Sequence, residues 1–416
     1  MNQFSVRRVL RVTWLVVAAA PRLLAAFAGP RERRRGRVAA ELCGLLERAG
    51  GAFIKAGQLI GTRVDLIGET MARSLSKLQD EVAGMTAAEL AQALRDAPEP
   101  VRRHVLEAGS PVASGSIASV YRVRIGDRVL AVKVLRPGVR TVIAADMAIL
   151  RAGAAFAAHL PGFRRAPLAD IMDQLGESLV AQTDFVAEAE NLERLRAHLA
   201  VVAGVAVPAV VRELCAEGVI TMEFIDDLRH GSIELLPVTA REAGVATLVR
   251  ATYRLLFVAG FVHADLHQGN TYFRADGTIV VLDAGFTYQL SPAARRSFTE
   301  FFAGMIRADG EACADILYGT VRGAAPGADV GAFRRDIAEL VMRNTGNAVR
   351  DFSLPKFCFE LFAVQRRHGL YAEPAFIFPM LCLLSLEGVV KAHHPAMEFQ
   401  IEAAPFVMQG MLADQA

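Results

Sequence analysis

The chain has 416 residues, of which 53% are hydrophobic and 22% charged, and its formal net charge is +2. This composition supports a large buried core divided into two or three domains or lobes, and excludes a disordered chain. Near-neutrality excludes a strongly basic polyanion binder, so no nucleic-acid partner is expected. The cysteines Cys43, Cys215, Cys313, Cys358 and Cys382 are widely spaced and form no C-x-x-C. They argue against structural zinc or a disulfide framework, and for a reducing cytoplasm.

In chain order, the apolar run Val12 to Pro21 lies between Arg11 and Arg22. It is shorter than the ~20 apolar residues a membrane-spanning helix needs. The run Ala375 to Leu386 is also short and contains Pro379. Two readings of Val9–Phe27 stand open. One lays the segment flat on a membrane with arginines toward the head groups; the other packs it as a helix on the rest of the protein. Arg31, Arg33, Arg34, Arg35 and Arg37 cluster after it. Residues 1–100 read as almost entirely helical. Thr86-Ala87-Ala88-Glu89 is a capping box that opens a helix to about Arg95. Pro98 and Pro100 mark a domain boundary.

Strands follow. Val120–Ile125 alternates, Gly126-Asp127 turns, and Val129–Val134 is rich in β-branched residues. Helical stretches are predicted over about 138–158 and 168–198. A hairpin is predicted over Val207–Phe224, with its turn near Glu217-Gly218. A helix at about 239–259 leads to Val262–Asn270, and helices resume at Ser291-Pro292, an N-cap followed by a first-turn proline.

The chemistry concentrates in His263-Ala264-Asp265-Leu266-His267-Gln268-Gly269-Asn270 and in Asp283-Ala284-Gly285. Asp265 and Asn270 stand in the D-x-x-x-x-N spacing that protein kinases use for a catalytic Asp and a magnesium-binding Asn. Asp283, after a short hairpin, is placed to supply the main carboxylate for the metal. Oxygen ligands of this kind suit Mg2+ bound to nucleotide phosphates, so ATP and Mg2+ are the expected cofactors. Lys133, in Ala131-Val132-Lys133, is placed to reach the phosphates, with Glu188 orienting it. Ser114, Gly115 and Ser116 fall where a phosphate-covering loop belongs. Glu223, within Thr221–Ile225, marks a hinge whose backbone meets the adenine edge. His263 is expected to shape the loop. A zinc role for His263 and His267 is rejected, because the companion Glu of a metalloprotease motif is missing.

These motifs, taken with others outside them, resemble the UbiB/AarF/ADCK family of atypical kinases over nearly the whole chain. Phe53–Gln58 matches its K-x-G-Q motif, and Ser76–Asp80 a segment downstream. Ala113–Ala118 is similar to its alanine-rich loop, Asp184–Asn191 to its D-[FY]-x-x-E-A-x-N helix, and His263–Asn270 to its H-x-D-x-H-P-G-N loop. The resemblance implies an α+β fold, bilobal and protein-kinase-like, with an N-terminal helical extension packed over the active site. The expected domains are residues 1–100 (extension), 101–225 (N-lobe with inserted helices) and 226–416 (helical C-lobe). Lys55 and Gln58 would then join Asp265 and Lys133 at the catalytic site and obstruct a protein substrate.

The implied function is a Mg-dependent ATPase or a small-molecule or lipid kinase supporting isoprenoid-quinone or lipid metabolism. Its partners would be an adenine nucleotide and membrane lipid or prenylquinone-pathway proteins. The implied location is the cytoplasm, peripheral at the inner membrane. A non-catalytic nucleotide-binding scaffold is the alternative, with a protein kinase third. The chain departs from the pattern at Gln182 (for the Glu of E-x-D), Ala284 (for the metal-motif Phe), Gly115 (for Ala) and Gln268 (for Pro), and it lacks the C-terminal transmembrane pair of some relatives. Ala284 is expected to loosen control of Asp283.

Overall fold

The structure is a computed structural model that describes residues 3–28, 31–61, 71, 74, 75, 78, 82–157, 159, 168–226, 228, 232–263, 270–324, 328–344, 353–372, 377–398 and 401–413. The chain is helix-rich with small sheets and forms two compact units. Met1–Ala189 with Val210–Phe224 make the first, and Glu190–Ala209 with Ile225–Ala416 the second.

The first unit opens with α1 (Gln3–Ala28), α2 (Arg31–Ala49) and α3 (Ala52–Gly61). α1 packs through Val12 and Leu15 with Ala49 and Phe53. This observation favours the packed reading of the N-terminal segment for the helix's inner face. The glycine of K-x-G-Q has a steric reason. A Cβ on Gly57 would overlap Leu78 Cδ1 and come 2.8 Å from Leu46 Cδ1, so a larger residue there would require these leucine side chains to shift.

Thr86 closes its capping box with Glu89 and starts α4 (Ala87–Ala93), as expected. Pro98 and Pro100 begin α5 (Glu99–Ala108), because proline fits an N-terminal turn whose N–H groups lack helical acceptors. Leu90, Leu94, Val101 and Val105 then share one core with the sheet residues Tyr121, Leu130, Val132 and Val134.

That sheet is antiparallel, in the order β1 (Ala113–Ser114), β2 (Ala118–Ile125), β3 (Arg128–Leu135), β5 (Val219–Glu223). Along β3 the period of two sends Leu130, Val132 and Val134 into this core, while Lys133 belongs to the opposite face. Lys133 pairs in register with Val120 and Ile220.

Two expectations are corrected here. The helix over 168–198 is two helices, α7 (Leu168–Ala181) and α8 (Phe185–Leu199), after α6 (Val139–Ala157). The break falls where Asp184 Oδ1 accepts from Ala187 N (3.0 Å) and caps α8. The hairpin over 207–224 has only one regular strand, β5. Its other arm holds the 3-10 turn Arg212–Leu214 and single bridges at Val210 and Ala216, and β5 takes its ladder from β3 instead. The turn at Glu217-Gly218 is present, closed by paired bonds between Ala216 and Val219.

In the second unit, β4 (Val205–Ala206) pairs in parallel with β8 (Ile279–Val281), which pairs antiparallel with β7 (Thr271–Phe273). β6 (Phe261–His263) pairs with β9 (Thr287–Gln289). The helix predicted over 239–259 begins as α-helix at Val238 and turns into a π-helix over Arg254–Ala259. Gly260 ends it at φ 63°, a left-handed conformation suited to glycine. Phe257, Phe298 and Phe302 stack around this segment with centroid separations of 5.0–5.9 Å. Ser291 caps the next helix, Pro292–Ile306, accepting from Ala294 N (3.1 Å).

Candidate nucleotide and metal site

In the first unit, Lys133 Nζ lies 2.5 Å from Glu188 Oε1, with side-chain exposures of 15% and 1%. The α7–α8 break makes this pair, because it restarts the helix at Phe185 and sets Glu188 one turn later. Phe185 is itself buried and lies with its ring centroid 5.2 Å from Lys133 Nζ, so the cation is held by charge on one side and an aromatic face on another. The motif residues Asp184, Phe185 and Glu188 thus divide into cap, ring and counter-ion.

The loop joining β1 to β2 is held by Arg136, a residue the sequence reading did not single out. Its Nε donates to Gly115 O (2.8 Å), and Nη2 to Ser114 Oγ (2.8 Å) and Ala83 O (2.6 Å). Ser114 Oγ also meets Ser119 Oγ at 2.8 Å, so this hydroxyl serves the loop's own framework. Gly115 N donates to Ala118 O (2.9 Å), which closes the turn. Ser116 is half-buried. Tyr121, fully buried on β2, has its phenol pushed up by burial, partly offset by the Arg136 guanidinium.

Glu223 is the exposed last residue of β5, and the next peptide bonds back to the sheet through Phe224 N to Val129 O (3.2 Å). Lys55 is half-buried on α3. Gln58 also belongs to α3, but its side chain lies outside the described residues, as do Asp265, His267 and most of Ser76–Asp80.

In the second unit the β7–β8 hairpin brings the metal candidates together in register. Leu282 N donates to Asn270 O (3.1 Å), which places Asn270 across from the residue before Asp283. Both candidates are half-buried. Asp283 Oδ1 accepts from Gly285 N (2.8 Å). His263, 1% exposed, has Nε2 2.6 Å from Asp283 O. A carbonyl only accepts, so Nε2 carries the proton. Asn191 Nδ2 donates to Ala284 O (3.4 Å), and Ala284 is wholly buried. Hydrogen bonds accepted by the Asp283 and Ala284 carbonyls from His263 and Asn191 therefore hold the loop's backbone. Gln182 donates to Ser178 Oγ (3.3 Å) within its own helical end.

Among the described residues, no three His, Cys, Asp or Glu side chains gather to hold a metal. The donors present are one carboxylate and one amide oxygen. They fit Mg2+, which takes few protein ligands and completes its shell with phosphate and water; they do not fit zinc.

The ABC1 atypical kinase-like domain matches residues 77–317. The chain belongs to this family, the UbiB/AarF/ADCK atypical kinases. Relatives include a protein of Xylella fastidiosa named "Probable protein kinase UbiB", 29% identical over 94% of this chain and 72% of its own length. An uncharacterized protein of Synechocystis is 26% identical over 83% of this chain and 88% of its own length. An aarF domain-containing protein kinase of Arabidopsis thaliana is 28% identical over 91% of this chain, which spans about half of that longer protein (54%). Among solved structures, Rv3197 of Mycobacterium tuberculosis, in complex with erythromycin, matches with a TM-score of 0.52 and 19% identity, covering 86% of this chain and 96% of its own. That likeness bears on the fold alone.

Proposed function

We propose that this ABC1-family chain binds Mg-ATP and either hydrolyses it or transfers its terminal phosphoryl group to a small or lipid-like acceptor, as a bilobal kinase-like fold in which residues 1–100 form the extension, 101–225 the N-lobe and 226–416 the C-lobe. The observation that carries the reading is the enclosed Lys133–Glu188 pair. A structural lysine gains little from such burial, whereas a phosphate-binding lysine needs its ammonium held in one place. In the reading, Lys133 grips the phosphates, the Arg136-braced loop of Ser114, Gly115 and Ser116 covers them, and the backbone near Glu223 meets the adenine. Asn270 and Asp283 hold Mg2+, and Asp265 orients the attacking hydroxyl or water. When bound, the metal neutralises charge on the phosphates. Lys55 and Gln58 of the extension restrict the acceptor to something smaller than a folded protein. The quinone-pathway name of the Xylella relative and the family resemblance support a prenylquinone or other lipid-linked role, with action at the cytoplasmic face of a membrane.

Phosphate release from Mg-ATP by the full chain tests the reading, with Asp283→Asn as control. Release that falls by about 100-fold or more in the variant is expected, as for loss of a group stabilising developing charge. Undiminished release refutes the metal assignment. Mg-ATP binding without release by the unaltered chain moves the scaffold reading to first place, and labelling of a peptide library moves the protein-kinase reading there.

A further inference from the structure

We propose that the outward face of α1 is a docking surface for an anionic lipid bilayer, on which the helix lies flat. The inner face of α1 is committed to the protein. Val12, Leu15 and Ala19 are buried, and Arg8 makes two bonds to the fully buried Asp146 of α6 (2.6 and 2.8 Å). The outer face is apolar as well. Leu10, Trp14, Val17 and Leu24 are 63%, 67%, 64% and 69% exposed. At 100° per residue they fall within about 80° of one another, opposite the buried stripe. A helix apolar on both faces suits two apolar surroundings, and the described residues supply only one.

Charge selects the occupant. The first 40 residues contain nine arginines, one glutamate and no aspartate or lysine, in a chain whose formal net charge is +2. Arg11 and Arg22 are exposed and share one edge of the apolar stripe, about 60–80° from Trp14. Arg34 and Arg37 are exposed on α2. A second copy presenting this same surface would meet like charge, whereas anionic head groups complement it. The tryptophan, at the edge of the stripe nearest Arg11 and Arg22, suits the level where head groups meet acyl chains.

The stretch Arg8–Ala26 is long and apolar enough to cross a bilayer, but 22% of it is buried in the protein. Crossing would strip the Arg8–Asp146 pair and leave Asp146 charged in the core, a strongly unfavourable outcome. A flat orientation keeps that pair and buries only the outer stripe.

Trp14 is the chain's sole tryptophan, so its emission reports this face directly. The full chain, without nucleotide, is titrated with phosphatidylcholine vesicles with and without phosphatidylglycerol. The expected result is a blue shift and co-sedimentation with the anionic vesicles, reversed by high salt. Arg11→Gln and Arg22→Gln should each weaken partition about fivefold at low salt. Val17→Asp should lose the shift while keeping the wild-type circular dichroism, since the residue is 64% exposed and outside the buried stripe. No shift with anionic vesicles overturns the proposal. A shift that grows with protein concentration in vesicle-free buffer overturns it in favour of a second copy. Salt-resistant attachment released only by detergent overturns it in favour of a spanning helix. The proposal does not rest on the nucleotide reading, because binding is measured without nucleotide. Phosphate release by Val17→Asp in solution checks that other reading separately.

Discussion

Breaking the Lys133–Glu188 pair one side at a time, and then on both sides, tests its energetics and its role together. The charges are 2.5 Å apart and 15% and 1% exposed. At an effective dielectric constant of 20 their attraction is about 7 kcal/mol, an upper bound that desolvation of both ions reduces by several kcal/mol. Removing one partner leaves the other charge enclosed and costs about 3–5 kcal/mol. Glu188→Gln should fall at the low end, because the Lys133 ammonium retains some access to water. Lys133→Met should fall at the high end, because the carboxylate has almost none. At about 2–4 °C per kcal/mol, each single variant should melt about 6–20 °C lower. The double variant Lys133→Met/Glu188→Met replaces the pair with apolar chains and should regain most of that loss, a coupling of about 2 kcal/mol or more. Melting is followed by circular dichroism, and phosphate release is measured on all three proteins. A stable double variant that releases no phosphate assigns the pair to chemistry. Additive melting losses, or single variants that melt with the wild type, would refute the argument that these groups hold each other in a dry site.

Further outcomes follow from single contacts. Arg136→Ala removes three side-chain bonds of 2.6–2.8 Å to the loop and to Ala83; the KM for Mg-ATP should rise about tenfold or more, with a smaller change in kcat, and equal kinetics would remove Arg136 from the site. Thr86 holds the Glu89 carboxyl below its ordinary value, mainly by its backbone N–H and then its hydroxyl. A depressed folded pKa means stability that is full above about pH 4.5 and lost as pH falls through the folded value. Thr86→Ala should cost about 1 kcal/mol near neutrality and flatten part of this acid limb in urea titrations; an unchanged limb would contradict the assignment. Ala284→Phe, which restores the residue usual in the family, should destabilise the chain by about 1–3 kcal/mol, because the site is wholly buried around a bond from Asn191; wild-type melting would show room that the structure does not.

The sequence by itself determined the features that rest on short-range chemistry. The alternation of β2, the Thr86 capping box, the Ser291-Pro292 helix start and the turn at Gly218 are each decided within a few residues, where backbone sterics and i to i+3 bonds dominate. The order of Lys133, Glu188, Asn270 and Asp283 was legible for the same reason, since each motif is local. The break between α7 and α8 was missed because an Asp preceded by a helical pattern reads equally as interior or cap until its side chain bonds Ala187 N. Only tertiary structure decided what depended on distant partners. Arg136 reaches Ala83, 53 residues away, Asn191 reaches Ala284, 93 away, and Arg8 reaches Asp146, 138 away. No periodicity marks such residues. Their value comes from pairing with a polar group on a distant part of the chain, and that acceptor comes within reach only once the core has closed.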